Sequence, residues 1–230
     1  MLIECRNITY QYAEAESSVL QNLNCRLTEP GFHGLFGTSG VGKSTLARII
    51  ARELEPFSGE IIAAPGSRVL YSYNLERLPG WSGVGEHIAK VTPDGQKQQM
   101  EDLVNSFGLA SCLESRFSHI SLGQKNRINL TRYLLQDFEL LIMDESLANV
   151  DEVTREQIIL KIKKIFPRKY FLYISHSVQE VAKFCKEILV LRRASKRPQM
   201  VSVAGQDYLD GQTLNRSDLE RTMLEIVHAS

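Results

Sequence analysis

Eight residues, Gly37-Thr38-Ser39-Gly40-Val41-Gly42-Lys43-Ser44, constrain this chain more than any others. They spell G-x-x-x-x-G-K-S, the pattern of a loop that cradles phosphates between a strand and a helix. Glycines let the backbone curl until successive N–H groups point inward at phosphate oxygens. The helix that follows offers its positive N-terminus to the same anion. In this pattern Lys43 reaches the β- and γ-phosphates, and the Ser44 hydroxyl holds Mg²⁺. The flanks agree. Residues 31–36 read as a short buried strand, and Leu46, Ile49 and Ile50 have helical spacing. Nucleotide binding on an α/β scaffold is the expectation.

The 230 residues are enough for a substantial core. Lys and Arg together number 27, as do Asp and Glu, so nothing in the charge balance points to nucleic acid. Cys5, Cys25, Cys112 and Cys185 form no C-x-x-C pair and read as reduced, buried thiols. No apolar run reaches the length of a membrane span, and the N-terminus has a charge inside its apolar stretch, unlike a signal peptide. Work at a membrane would need another chain to supply the spanning part.

Apolar stretches of strand length recur between helical patterns. Strands are expected at 2–10, 19–27, 32–36, 60–63, 69–73, 140–144, 170–175, 188–191 and 200–203. Helices are expected at 43–53, 96–107, 122–135, 152–166, 178–184 and 217–227. Leu140-Leu141-Ile142-Met143 is apolar without alternation, as in a parallel strand buried on both faces. The first two strands have no helix between them and read as an antiparallel edge. The expected fold is α/β with a mostly parallel sheet, an antiparallel β edge and an inserted helical subdomain. Its divisions are a core of 1–73 and 127–212, a helical subdomain of 74–126, and a C-terminal helix in 213–230.

Other residues can join the loop in one site. Asp144 and Glu145 end the apolar strand. Beside a phosphate loop, Asp144 would bind Mg²⁺ through water and Glu145 would orient or deprotonate the attacking water. His176 follows another strand, on the side where open α/β sheets bind ligands, and could meet the γ-phosphate or brace Glu145. Ser121 is a good N-cap for the helix after it. Ser121, with the Gly123 backbone, could equally form a second phosphate site. Spacing leaves both readings open.

These motifs together resemble the ATP-binding cassette ATPases over nearly the whole chain. Residues 37–44 match the Walker A loop, and 140–145 match Walker B with its catalytic glutamate. Ile120-Ser121-Leu122-Gly123-Gln124 is similar to the signature L-S-G-G-Q, Ala148-Asn149-Val150-Asp151 to the D-loop S-A-L-D, and His176 to the switch histidine. The resemblance implies a RecA-like P-loop fold and ATP with Mg²⁺ as ligands. Nucleotide contacts would come from Gly37, Thr38, Ser39, Gly40, Val41, Gly42, Lys43, Ser44 and Thr45. Tyr12 would stack on adenine, with Tyr10 as a rival. Ser121, Gly123 and Gln124 would complete the site of a second cassette, closed head to tail around two ATP molecules as a homodimer. Glu145 and His176 would be catalytic; Ser44, Asp144 and Asn74 would face the metal.

The departures are specific. Leu122 replaces the first signature glycine, Asn74 stands where the family has its Q-loop glutamine, and Ser146 replaces the usual proline. Residues 74–84, with Leu78-Pro79-Gly80-Trp81, are similar to importer ATPases of the nitrate, sulfonate and taurine group. The resemblance implies a transport ATPase on the cytoplasmic face of the membrane. It would dock a permease through residues 74–86 and serve a solute-binding protein. Trp81 could instead anchor the subdomains. The alternative reading is a cassette used as an ATP-dependent switch or scaffold outside transport.

Overall fold

The computed structural model describes residues 3–55 and 57–230. Leu2, expected in the first strand, lies outside them. The chain divides into two compact units. One comprises residues 1–71, 139–144 and 167–230; the other comprises 72–138 and 145–166.

The first unit is built on two sheets. β1 (Ile3–Tyr10) lies between β2 (Leu20–Leu27) and β4 (Ser58–Ala63), antiparallel to both. The antiparallel strands thus form a sheet of their own, completed by β4. The second sheet has the order β5-β6-β7-β3-β8-β9, where β3 is Gly31–Phe36, β5 Val69–Tyr73, β6 Leu140–Asp144, β7 Tyr170–Ile174, β8 Glu187–Leu191 and β9 Met200–Ala204. β3 runs parallel to β7 and β8, β6 runs parallel to β7, and β9 closes one edge antiparallel to β8. All five residues of β6 are buried, as an unalternated apolar strand requires.

α1 (Lys43–Ile50) follows the glycine loop and buries Leu46, Ile49 and Ile50 in a core shared with Leu35, Leu140 and Ile142. It ends three residues before the expected Glu53, because Arg52 turns into the left-handed region at φ 59°. α6 (Val178–Phe184) and the C-terminal α7 (Arg216–Ala229) complete this unit.

The second unit holds α2 (Val84–Val91), α3 (Lys97–Ser106), α4 (Leu122–Leu134) and α5 (Glu152–Ile165). It is larger than the expected 74–126 insertion. α4 runs unbroken through Asn126, so no boundary falls there, and the 145–166 segment with α5 belongs to this unit too. α2 had no counterpart in the sequence reading. It buries only Val84 and Ile88, follows Gly80 and Gly83 and contains Gly85, and these glycines hide its periodicity.

Candidate functional site

In the first unit the parallel register builds the site. Leu35 on β3 pairs with Ile174 on β7, and Ile174 pairs with Asp144 on β6. The three residues form one row across the sheet. The phosphate loop, Asp144 and the segment carrying His176 therefore leave the sheet at the same carboxyl edge, where open α/β sheets hold ligands.

Gly37 opens the loop because nothing larger fits. A Cβ there would come within 2.4 Å of the Leu191 carbonyl oxygen. Lys43 is buried, and its ammonium donates to the carbonyls of Gly37 at 2.8 Å and Thr38 at 3.1 Å, holding the loop closed from inside. α1 starts at Gly42 with no side-chain cap and no acidic residue in its first turn. This uncapped helix start suits an anion. Ser44 is exposed while Thr45 is buried. The Tyr12 hydroxyl lies 2.8 Å from Thr45 Oγ1. Tyr10 is buried and meets Tyr12 edge-on at 5.0 Å, so of the two rings only that of Tyr12, 43% exposed, is offered to a ligand.

Asp144 is buried and accepts a hydrogen bond from the Tyr71 hydroxyl at 2.7 Å. Burial, followed by the Asp144 carboxylate, pushes the Tyr71 phenol far above its ordinary pKa, so it remains a donor. His176 is exposed in the turn after β7. The turn is fixed by its neighbours: Ser175 Oγ and the Tyr173 hydroxyl both donate to Glu180 at 2.7 Å, and Ser177 caps α6.

This unit fits a nucleotide with its metal. It offers a cradle that a Cβ would fill, an uncapped helix start and a buried ammonium. The Ser44 hydroxyl and Asp144 carboxylate add the hard oxygen donors that suit Mg²⁺.

The second unit carries the remaining candidates. Glu145 takes a left-handed backbone at φ 53°, uncommon for a residue with a side chain. Its carbonyl accepts from Ala148 N at 2.9 Å, closing a turn. Next to it, the buried Ser146 hydroxyl lies 3.0 Å from both the carbonyl and the hydroxyl oxygen of Ser72, so the serine that replaces proline has its polar group satisfied.

Ser121 and Gln124 form a reciprocal capping box at the start of α4. Gln124 N donates to Ser121 Oγ at 3.2 Å, and Ser121 N donates to Gln124 Oε1 at 2.8 Å. The N-cap reading of Ser121 is therefore realised, and its hydroxyl proton remains available to a ligand. Leu122 is 51% exposed. Gly123 is required by packing, because a Cβ there would lie 2.4 Å from the Asn149 carbonyl oxygen. Asp151 caps α5 through Thr154 N at 2.9 Å, and that backbone donor holds its carboxyl below the usual range.

Asn74 differs from expectation. Its Oδ1 accepts from Asn126 at 3.0 Å and from Asn149 at 2.9 Å. Both lone pairs are engaged, so this oxygen would have to release a partner to meet a metal. Two residues on, Glu76 takes hydrogen bonds from Asn129 at 2.8 Å, Arg132 at 2.6 Å and the Tyr133 hydroxyl at 2.9 Å. The sequence reading missed this cluster. Asn126, Asn129 and Tyr133 stand at i, i+3 and i+7 on α4, and that polar stripe was the available signal. Trp81 is 85% exposed and anchors nothing among the described residues. A groove of about 330 Å³ nearby is lined by Leu75, Leu78, Phe117 and Leu122 together with the polar Glu76, Arg77, Lys125 and Asn126.

Comparison with known proteins agrees. The profile of the ABC transporter family matches residues 20–148. The chain is 30% identical, over 86% of its length and 76% of the relative's, to the aliphatic sulfonates import ATP-binding protein of Pseudomonas fluorescens. It is 28% identical, over 83% and 79%, to the taurine import ATP-binding protein of Pseudomonas entomophila. It is 29% identical to the molybdenum import ATP-binding protein of Brucella melitensis, covering 71% of this chain but 51% of that one. In fold it is similar to a dimeric ATP-binding cassette in a post-hydrolysis state bound to ADP and Pi, with a TM-score of 0.70 at 20% identity, covering 83% of this chain and 94% of that one. With more than half of its length inside that profile, from Leu20 to Ala148, the chain belongs to the ABC transporter family.

Proposed function

We propose that this chain is the ATP-hydrolysing subunit of a small-solute importer, and that two copies close head to tail around two ATP molecules. The observation that carries the reading is the row Leu35–Ile174–Asp144. It brings the phosphate loop after β3 and the acid that ends β6, two strands away across β7, to one sheet edge. The sulfonate and taurine import proteins among its relatives support import as the direction.

Each residue has a task. Tyr12 stacks on the adenine. The loop N–H groups, Lys43 and the start of α1 hold the phosphates. Ser44 and Asp144 would hold Mg²⁺, which would supply positive charge to offset that of the phosphates. Glu145 orients the attacking water and takes its proton. His176 donates toward the γ-phosphate. Ser121 and Gly123, at the start of α4, complete the site of the second copy.

No described helix is long and apolar enough to cross a membrane. The import ATP-binding proteins among its relatives support membrane-spanning permease subunits as the partners, met from the cytoplasmic side through residues 74–86, with a solute-binding protein delivering the cargo. Trp81 and the nearby groove, which mixes apolar with charged side chains, offer such a surface.

The test is MgATP hydrolysis by the purified chain at rising protein concentration, with Glu145→Gln as the blank. A rate per subunit that climbs with concentration supports sites shared between two copies. A concentration-independent rate removes the shared site. A Trp81→Glu variant that is folded yet assembles and transports normally removes the docking surface.

A further inference from the structure

We propose that Tyr71 is a positioning residue that selects which oxygen of Asp144 faces the metal; the inference rests on the reading of Asp144 given above. Tyr71 and Asp144 are 73 residues apart in sequence, on strands that neighbour each other in the sheet. The Tyr71 hydroxyl donates to Asp144 Oδ2 at 2.7 Å, and both side chains are buried. A carboxylate at a strand end can turn about its last torsion and offer either oxygen. The phenol removes that freedom by engaging Oδ2. Oδ1 has no hydrogen-bond partner among the described residues and is left for a ligand.

The donor type matters. A lysine or arginine at position 71 would hold the carboxylate and also cancel its charge. A phenol holds it and leaves the full negative charge for a cation. Groups that orient a ligating side chain from behind regularly set the affinity of the site for its metal. Without the phenol, a buried oxygen would lose its partner and the carboxylate would reorient to find another.

The experiment follows nucleotide binding rather than turnover. A fluorescent ATP analogue is titrated onto the protein in chelator, and then at fixed nucleotide with rising Mg²⁺. In Tyr71→Phe, the Mg²⁺ concentration for half-maximal tightening should rise about tenfold. Affinity in chelator should stay within about twofold. Tyr71→Met, which fills the space with an adaptable apolar chain, should show the same split. In an Asp144→Asn background, Tyr71→Phe should add no further shift.

Equal losses with and without Mg²⁺ would overturn the proposal and make Tyr71 a packing residue. So would a shift that persists in Asp144→Asn. If Asp144→Asn by itself left Mg²⁺ dependence unchanged, the reading of Asp144 as a ligand would fail instead. Circular dichroism melts confirm that each variant compared is folded.

Discussion

Asn74 accepts a hydrogen bond from Asn126, Oδ1 to Nδ2, at 3.0 Å. Asn126 is buried at 5% exposure, so its amide depends on this partner. Asn149 joins the same oxygen at 2.9 Å. Asn74→Ala should destabilise the protein by about 1–3 kcal/mol, since it leaves a buried amide unmet. Thermal melts measure this. Mg²⁺ dependence of nucleotide binding should not change. A shifted Mg²⁺ dependence with an unchanged melt would return Asn74 to the metal.

Gly123 and Leu122 are adjacent but answer to different constraints. Gly123→Ala forces a Cβ against the Asn149 carbonyl oxygen at 2.4 Å. Separating them should cost about 1–3 kcal/mol. Leu122 is half exposed, so Leu122→Gly should cost about 1 kcal/mol or less, mostly in helix propensity. It should preserve or raise ATP hydrolysis. A large loss of hydrolysis in folded Leu122→Gly would show that the leucine side chain is itself needed.

Glu145 holds its left-handed backbone at φ 53° against its own side chain. Glu145→Gly removes that cost and should stabilise by up to about 1 kcal/mol. Hydrolysis should fall at least about a hundredfold in both Glu145→Gly and Glu145→Gln, as expected for loss of a general base. ATP binding should persist in both. Melts and turnover on the same samples separate the two effects, and normal turnover in Glu145→Gln would remove the residue from its role.

His87 on α2 gives the fold an acid limit. Its ring meets Phe117 edge-on at 5.3 Å, and Nε2 has no hydrogen-bond partner among the described residues. Burial, then Arg132 and Lys90, hold its pKa below the usual 6.5. A histidine with a lowered folded value favours the native state while neutral. Its contribution is complete above the unfolded value of about 6.5 and is lost as pH falls through the lower folded value. Melting temperature should therefore drop on acidification below about pH 6.5. The drop should be smaller in His87→Phe. Parallel acid branches in the two proteins would clear His87 of this effect.

What could be read from sequence was whatever depends on neighbours along the chain. The glycine loop, the apolar β6 and the Ser121 cap are local patterns, and each stands where the pattern placed it. α2 escaped because eight residues that include Gly85 and follow Gly80 and Gly83 carry too little periodicity. Strand pairing was harder. β4 joins β1 across some fifty residues of chain, and no local signal says which sheet it completes. Side-chain partnerships were beyond reach. Tyr71 falls within the expected strand 69–73, and only folding shows that its hydroxyl meets Asp144. Asn74 was compared with a family glutamine, whereas its partners on α4 and near β6 determine what its oxygen does.

The fastening of Asn74 and Glu76 to α4 has a mechanical result. The stretch that follows them, up to the exposed Trp81, is tied at its base to Asn126, Asn129, Arg132 and Tyr133 along α4. A force on Trp81 would thus cross only the four residues 77–80 before it met side chains fastened to the body of α4.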